Sequence, residues 1–295
     1  MENQTPVENR PSRGRRFGQI MLSLLPVAIM FTIQNIIPAV GSIILVLNNL
    51  ENFDVDDPDA LSDMTNVLTD YSGIFMLIYT LVALAVFIPW YCKKYVHAKD
   101  IGKNIRGIGP KFFFCAVFAI LGAQMFALGL IYISEFLFSD IYDMYNDIME
   151  QAGFSTDTGD ADIWMQLAVI FLIPIVEELV FRGLCTSKLE VCNFSRRFTY
   201  FFPAIVFALL HGNPLQIVYV FALALILGYA RLEKHTIIFT CFLHILYNFL
   251  GTVPNFDNLF DSLPKFIPVI LTISGLAIVA ASFLIVRSGN KTRIA

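Results

Sequence analysis

Three groups of polar residues stand inside apolar sequence. Glu177, Glu178 and Arg182 interrupt the run from Ile163 to Cys185, His211 closes a short hydrophobic segment, and His244 and Asn248 punctuate another. An ionisable residue at the centre of a membrane span costs roughly 2.5–3.5 kcal/mol on insertion scales, so such residues are functional by default. Residues four apart share a helix face, and a Glu placed N-terminal to an Arg is the favourable order, so Glu178 and Arg182 are expected to pair. Glu177 then points about 100° away, without a partner on its own helix. An unpaired carboxylate kept from water suits a general base. The packing alternative is that both acids pair with Arg182 or with neighbouring helices and only fix the structure. Of the four histidines, His97 and His235 fall in charged stretches, whereas His211 and His244 fall in apolar ones. His244 and Asn248, again four apart, project an imidazole and a carboxamide from one face.

A Glu and a His side by side can hold a water and remove its proton. His and Asn can donate hydrogen bonds to the oxyanion formed when that water attacks a carbonyl. The chemistry is amide hydrolysis. Two His and one Glu also make a catalytic zinc set with an open fourth position, so Glu177, His211 and His244 are equally a candidate metal set. In that arrangement, with Glu178 on Arg182, no carboxylate is left to activate the water, and Asn248 is an uncommon zinc ligand; Glu177 as base is the preferred reading, and the sequence leaves both open. Other hydrolytic signatures are missing. There is no H-E-x-x-H; Ser274-Gly275 has Thr272 where a G-x-S-G site needs glycine; and Gly159-Asp160 has Asp157 where a G-x-G-D site needs glycine.

The elements that position these residues must cross a bilayer. The chain is 57% hydrophobic and 15% charged, with a mean hydropathy of +0.67, against about 25% charged residues in soluble domains. Apolar runs of the length needed for about 20 helical residues begin near Phe17, Tyr71, Lys111, Ile163, Phe198, Pro214, Thr236 and Phe266. The expectation is an all-α polytopic bundle of about eight transmembrane helices. Cytoplasmic loops collect Lys and Arg, and with the N-terminus inside, the basic residues gather on inner segments: Arg10 to Arg16, Lys93 to Lys111, Lys188 to Arg197, Arg231 with Lys234, and Arg287 to Arg293. Only Lys265 lies outside, and Arg182 within a span. The outer loops are acidic, with Asp54, Asp56, Asp57, Asp59 and Asp63 in one and Asp140, Asp143, Asp147, Glu150, Asp157, Asp160 and Asp162 in the other. Both termini are therefore expected on the cytoplasmic side. The net charge of −4 implies no nucleic-acid partner, because the acid is collected on one face. The first apolar stretch exceeds a signal h-region and reads as a retained span.

Four divisions follow. Residues 1–16 read as a disordered basic tail meeting the inner leaflet, and residues 17–162 as N-terminal membrane helices with acidic outer loops. The polar residues lie in 163–251, the candidate catalytic core, and 252–295 hold a last outer loop, the final span and a basic tail. The outer stretches 49–70 and 137–162 read as solvated connectors, the second with an amphipathic stretch marked by Ile141, Tyr142, Tyr145, Ile148 and Met149. The segment Phe198–His211 reaches only about 21 Å against roughly 30 Å of hydrocarbon, and Gly212-Asn213-Pro214 is a turn signal. It is expected to stop inside the membrane, which is tolerated where protein or a watery cavity surrounds the break. Cys92, Cys115, Cys185, Cys192 and Cys241 show no C-x-x-C spacing and suggest neither disulfides nor a thiolate zinc site.

Glu177-Glu178-x-x-x-Arg182 with Phe181 and Gly183, then Phe207-x-x-x-His211, then His244-x-x-x-Asn248 resemble, in order, the three motifs of the CPBP intramembrane proteases. That family includes the CAAX prenyl-protein endopeptidase and bacterial bacteriocin-processing and self-immunity proteins. The resemblance covers about residues 174–250 and leaves the first 160 residues without a motif. It implies an eight-helix membrane fold and an endopeptidase in which Glu177 and His211 activate water while His244 and Asn248 stabilise the oxyanion, with Glu178, Arg182 and Phe207 supporting. The family has been treated both as metalloproteases and as metal-independent glutamate proteases, so a zinc ion stays an open cofactor. The expected partners are membrane lipids and a peptide or membrane-protein substrate. Short loops and the lack of a eukaryotic targeting signal suggest a bacterial plasma membrane. A proton-coupled transporter and an immunity or binding protein without catalysis are the competing readings; no internal repeat of the transporter kind is evident.

Overall fold

The computed structural model describes residues 13–49, 59–96, 102, 104–151, 163–252 and 264–291. Among them the chain is a helical bundle without strands. In order the helices are α1 (Arg13–Asn49), α2 (Ala60–Asp70), α3 (Ser72–Tyr95), α4 (Pro110–Leu137), α5 (Ser139–Gln151), α6 (Ile163–Val191), α7 (Arg196–Leu209), α8 (Pro214–Lys234), α9 (Ile237–Thr252) and α10 (Ile267–Lys291). Six stretches are long and apolar enough to cross a membrane: α1, α2 with α3, α4, α6, α8 and α10. The protein is a multi-pass membrane protein. The two remaining expected spans are shorter: α9 has 16 residues and α7 has 14.

Several expectations shift. Helix α1 begins at Arg13, so Arg13, Arg15 and Arg16 form its first turn rather than the end of a disordered tail. The outer stretch after α1 is helical from Ala60, and the expected amphipathic stretch is α5. On α5, Tyr142, Tyr145 and Met149 are half-buried while Ile141 and Ile148 stay exposed. Residues 1–12 of the tail with Arg10, the acids Asp54, Asp56, Asp57, Asp157, Asp160 and Asp162, and His97, Lys99, Lys103 and Arg293 lie outside the described residues. The five cysteines are all free thiols.

Local chemistry explains the element ends that matter. Asn213 caps α8 by accepting from Leu215 N at 2.8 Å and Gln216 N at 3.2 Å, and Pro214 takes the first helical position, where its missing N–H costs nothing. Gly212 at φ 71° supplies the left-handed residue that turns α7 into α8. The predicted mid-membrane break is therefore a capped turn. At its other end α8 closes on His235, also left-handed at φ 52°.

Helix α6 sits at the centre, packed by α1, α3, α7, α8 and α9, with Val176, Val180, Phe181 and Leu184 enclosed. Helix α10 lies at the edge and packs chiefly on α4. The seam is built from glycines: a methyl at Gly122 would come within 2.8 Å of Gly275 O, and one at Gly129 within 2.6 Å of Pro268 O. Without a hydrophobic drive between helices in lipid, such close backbone approach is what holds them together.

Candidate active site

Helix α6 is not a uniform α-helix. Two wide π turns, Ala168–Leu172 and Leu179–Cys185, flank a single α-helical stretch, Ile173–Glu178, that ends on the two glutamates. Wide turns of this kind are frequent at functional sites. They leave carbonyls that side chains from α8, α9 and α6 itself satisfy. Asn248 Nδ2 on α9 donates to Val169 O at 2.8 Å, Arg231 Nε on α8 to Arg182 O at 3.1 Å, and Thr186 Oγ1 to Phe181 O at 2.8 Å. Unsatisfied backbone groups are not tolerated in hydrocarbon, so these donors stabilise the irregular helix. Gly183 is needed for a different reason, because the ring of Tyr91 on α3 lies 3.1 Å from where its Cβ would stand.

The expected Glu178–Arg182 pair is present. Arg182 Nη1 donates to Glu178 Oε1 at 2.8 Å, with both side chains enclosed. Arg182 also donates through Nη2 to Ala224 O on α8 at 3.2 Å, and its guanidinium lies 4.7 Å from the centre of the Phe207 ring. Arg182 and Arg231 thus lock α6 and α8 in both directions, each arginine bonding a carbonyl of the other helix.

Glu178 holds a second partner. His244 Nδ1 lies 3.1 Å from the same Oε1, which places a proton on Nδ1 and leaves Nε2 as the nitrogen facing the site. His244 Nε2 is 3.6 Å from Glu177 Oε2. The imidazole is therefore clamped between the two glutamates, 3% exposed, while Glu177 keeps 17% of its side-chain surface open. A separation of 3.6 Å is longer than a hydrogen bond. It leaves room for one oxygen to bond to both atoms from the side.

Phe207 assembles the remaining motif residues. Its ring is fully buried and meets Phe181 edge-on at 4.9 Å, His211 at 5.1 Å and His244 at 5.9 Å. His211 is half-buried, and its Nδ1 is held by Phe207 O at 3.0 Å, so Nε2 is its available nitrogen. The structure thus joins Glu177, Glu178, Arg182, Phe207, His211 and His244 in one continuous cluster. It links Glu177 directly to His244, and His211 enters through Phe207. Asn248, half-buried one turn along α9 from His244, has its amide on Val169 O.

Two residues escaped the sequence reading. Arg231, counted there among the basic residues of the inner segments, is 5% exposed and bonds Ser187 Oγ at 3.0 Å and Glu190 Oε2 at 3.2 Å besides Arg182 O. Its spacing of three from Lys234 at a helix end disguised it as part of a topology signal. Tyr79 on α3, buried and within electrostatic reach of Glu177, sits in a segment without any motif.

The candidate metal set does not assemble. Among the described residues no three His, Cys, Asp or Glu side chains converge as ligands. His244 Nε2 and Glu177 Oε2 are spaced as two ligands of one ion could be, and His211 keeps Nε2 available, but among the described residues it does not converge with them into a three-ligand set.

Residues 159–250 match the family model described as type II CAAX prenyl endopeptidase Rce1-like. The resemblance to the CPBP proteases holds. The matched segment begins just ahead of α6 and ends within α9, so it contains every residue of the cluster but not Tyr79 on α3. It supports, at the level of class, an intramembrane protease of the CAAX type. No curated protein and no solved structure matches the chain closely enough to be named as a relative.

Proposed function

We propose that the protein is an intramembrane endopeptidase that hydrolyses a peptide bond with a water activated by Glu177. The observation that carries this reading is the clamp on His244. With Nδ1 committed to Glu178, Nε2 can face only Glu177 and whatever lies between them. A water there donates one proton to Glu177 and attacks the carbonyl carbon of a substrate amide. Glu177 holds the proton, then returns it to the leaving nitrogen as the carbon–nitrogen bond breaks. When His244 carries both ring protons, its Nε2–H can donate to the oxyanion, and the second N–H of Asn248 can join it. His211 Nε2 serves as a further proton acceptor beside Phe207. Glu178 and Arg182 are positioning residues.

Because the donors do not form a three-ligand set, no step is routed through a metal. Metal analysis of the purified protein tests this: stoichiometric zinc that disappears in His211→Ala would replace the glutamate mechanism with a zinc one. The substrate is a peptide or membrane protein, and the active side is the cytoplasmic leaflet of a bacterial plasma membrane.

Glu177→Ala, His211→Ala and His244→Ala should each abolish cleavage while the protein remains folded in the membrane. Comparative peptidomics of cells carrying wild-type or Glu177→Ala protein reads activity and substrate together. Undiminished cleavage by the Glu177 variant sinks the assignment. Protection from a peptide toxin that survives Glu177→Gln would favour the immunity reading, and substrate flux driven by a pH gradient in proteoliposomes the transporter.

A further inference from the structure

Away from the catalytic cluster, an open groove of about 460 Å³ lies between the turn preceding α4 and the first turns of α4 and α9. Ile105 and Ile108 form one wall, and Phe113, Phe114, Phe239 and Phe242 the other. The rings pack against one another, with Phe113 lying 5.8 Å from Phe239, tilted to it, and 5.8 Å from Phe242, stacked on it. Every lining residue is apolar, yet Ile105 is 40% exposed, Phe242 43% and Phe114 58%. In a membrane protein a slender hydrophobic groove opening outward meets lipid chains. Eight lining residues are well short of the roughly 20–30 a side that a stable protein partner covers.

The charge beside the groove selects among lipids. Arg106 sits between Ile105 and Ile108, and Lys111 follows Pro110 of the lining; both are exposed. Arg106 uses Nε on Gly102 O at 3.1 Å, which leaves its terminal nitrogens to donate outward. Lys234 is spent inward, bonding Gly107 O at 3.1 Å and lying over the Phe112 ring at 4.3 Å. It braces the wall. Basic side chains at a membrane surface attract anionic headgroups by roughly 1 kcal/mol each, or about fivefold in affinity.

We propose that this groove binds one acyl chain of an anionic phospholipid whose phosphate rests on Arg106 and Lys111. The site touches α9 one turn before His244, on residues that take no part in the chemistry, and it does not depend on the protein being a protease.

Native mass spectrometry of the full chain in detergent, offered phosphatidylglycerol and phosphatidylcholine in competition, tests it. Wild-type protein should retain phosphatidylglycerol by about tenfold or more over phosphatidylcholine. The surface variant Arg106→Gln with Lys111→Gln should bring the two lipids close to parity. Ile238→Trp, which fills the groove from its rim, should lower retention of both. Equal retention of the two lipids by wild type, or a preference that survives Arg106→Gln with Lys111→Gln, would overturn the proposal, as would undiminished retention by Ile238→Trp.

Discussion

Glu178 accepts from Arg182 and from His244 through the same oxygen, so it neutralises one side chain and orients the other. Removing its charge undoes both. Glu178→Gln leaves Arg182 without its counter-ion in a dry interior, a change that costs about 3–5 kcal/mol in buried pairs. The expected outcome is a lowered unfolding temperature in detergent together with lost turnover, whereas Glu177→Gln should lose turnover with little change in stability. Equal stability of the two variants would contradict the division of labour between the glutamates. The Glu178–Arg182 pair was legible from spacing, because partners on one helix obey its period. The contact between Glu177 and His244 was legible only as a shared depth in the membrane. It joins residues 67 positions apart on two helices, and only packing decides which histidine arrives.

At the scale of elements, the sequence reading assumed 3.6 residues per turn throughout α6, and two π turns depart from it. Hydrophobic periodicity could not show this, since apolar residues occupy every face of the helix and only Glu177, Glu178 and Arg182 interrupt them. The donors that permit the departure were visible only as individual residues with other meanings: Asn248 as an oxyanion donor and Arg231 as a topological charge. The short α7 was legible because its length and the Gly-Asn-Pro signal are local properties. The seam between α4 and α10 makes its own prediction. Gly275→Val would drive a side chain into the backbone at Gly122 and Phe126, and overpacking of this kind typically costs about 1–3 kcal/mol. Thermal unfolding should detect the loss. Because α10 carries no residue of the cluster, cleavage per folded molecule should be retained. Loss of cleavage in protein shown to be folded would place α10 in the catalytic assembly.

For the whole molecule, hydropathy and charge gave the class, a polytopic helical bundle, and left the number of crossings to the two short helices. Orientation rests on the separation of basic and acidic loops. In a cysteine-free background, an impermeant maleimide should label Asp63→Cys in intact cells and reach Arg197→Cys only after the membrane is opened. Labelling of both from outside, or the reverse pattern, would invert or break the assigned topology.

The wide turns of α6 also have a history within each chain. Ribosomes deliver α6 first; the carbonyl of Arg182 waits 49 residues for Arg231, and that of Val169 waits 79 for Asn248. Until α8 and α9 enter the bilayer, an opened α6 would present bare carbonyls to lipid, which hydrocarbon does not tolerate. The wide turns of α6 are therefore expected to settle only once α8 and α9 are in place. On the proposed mechanism, a chain halted before α9 lacks His244 and Asn248 and should cleave nothing.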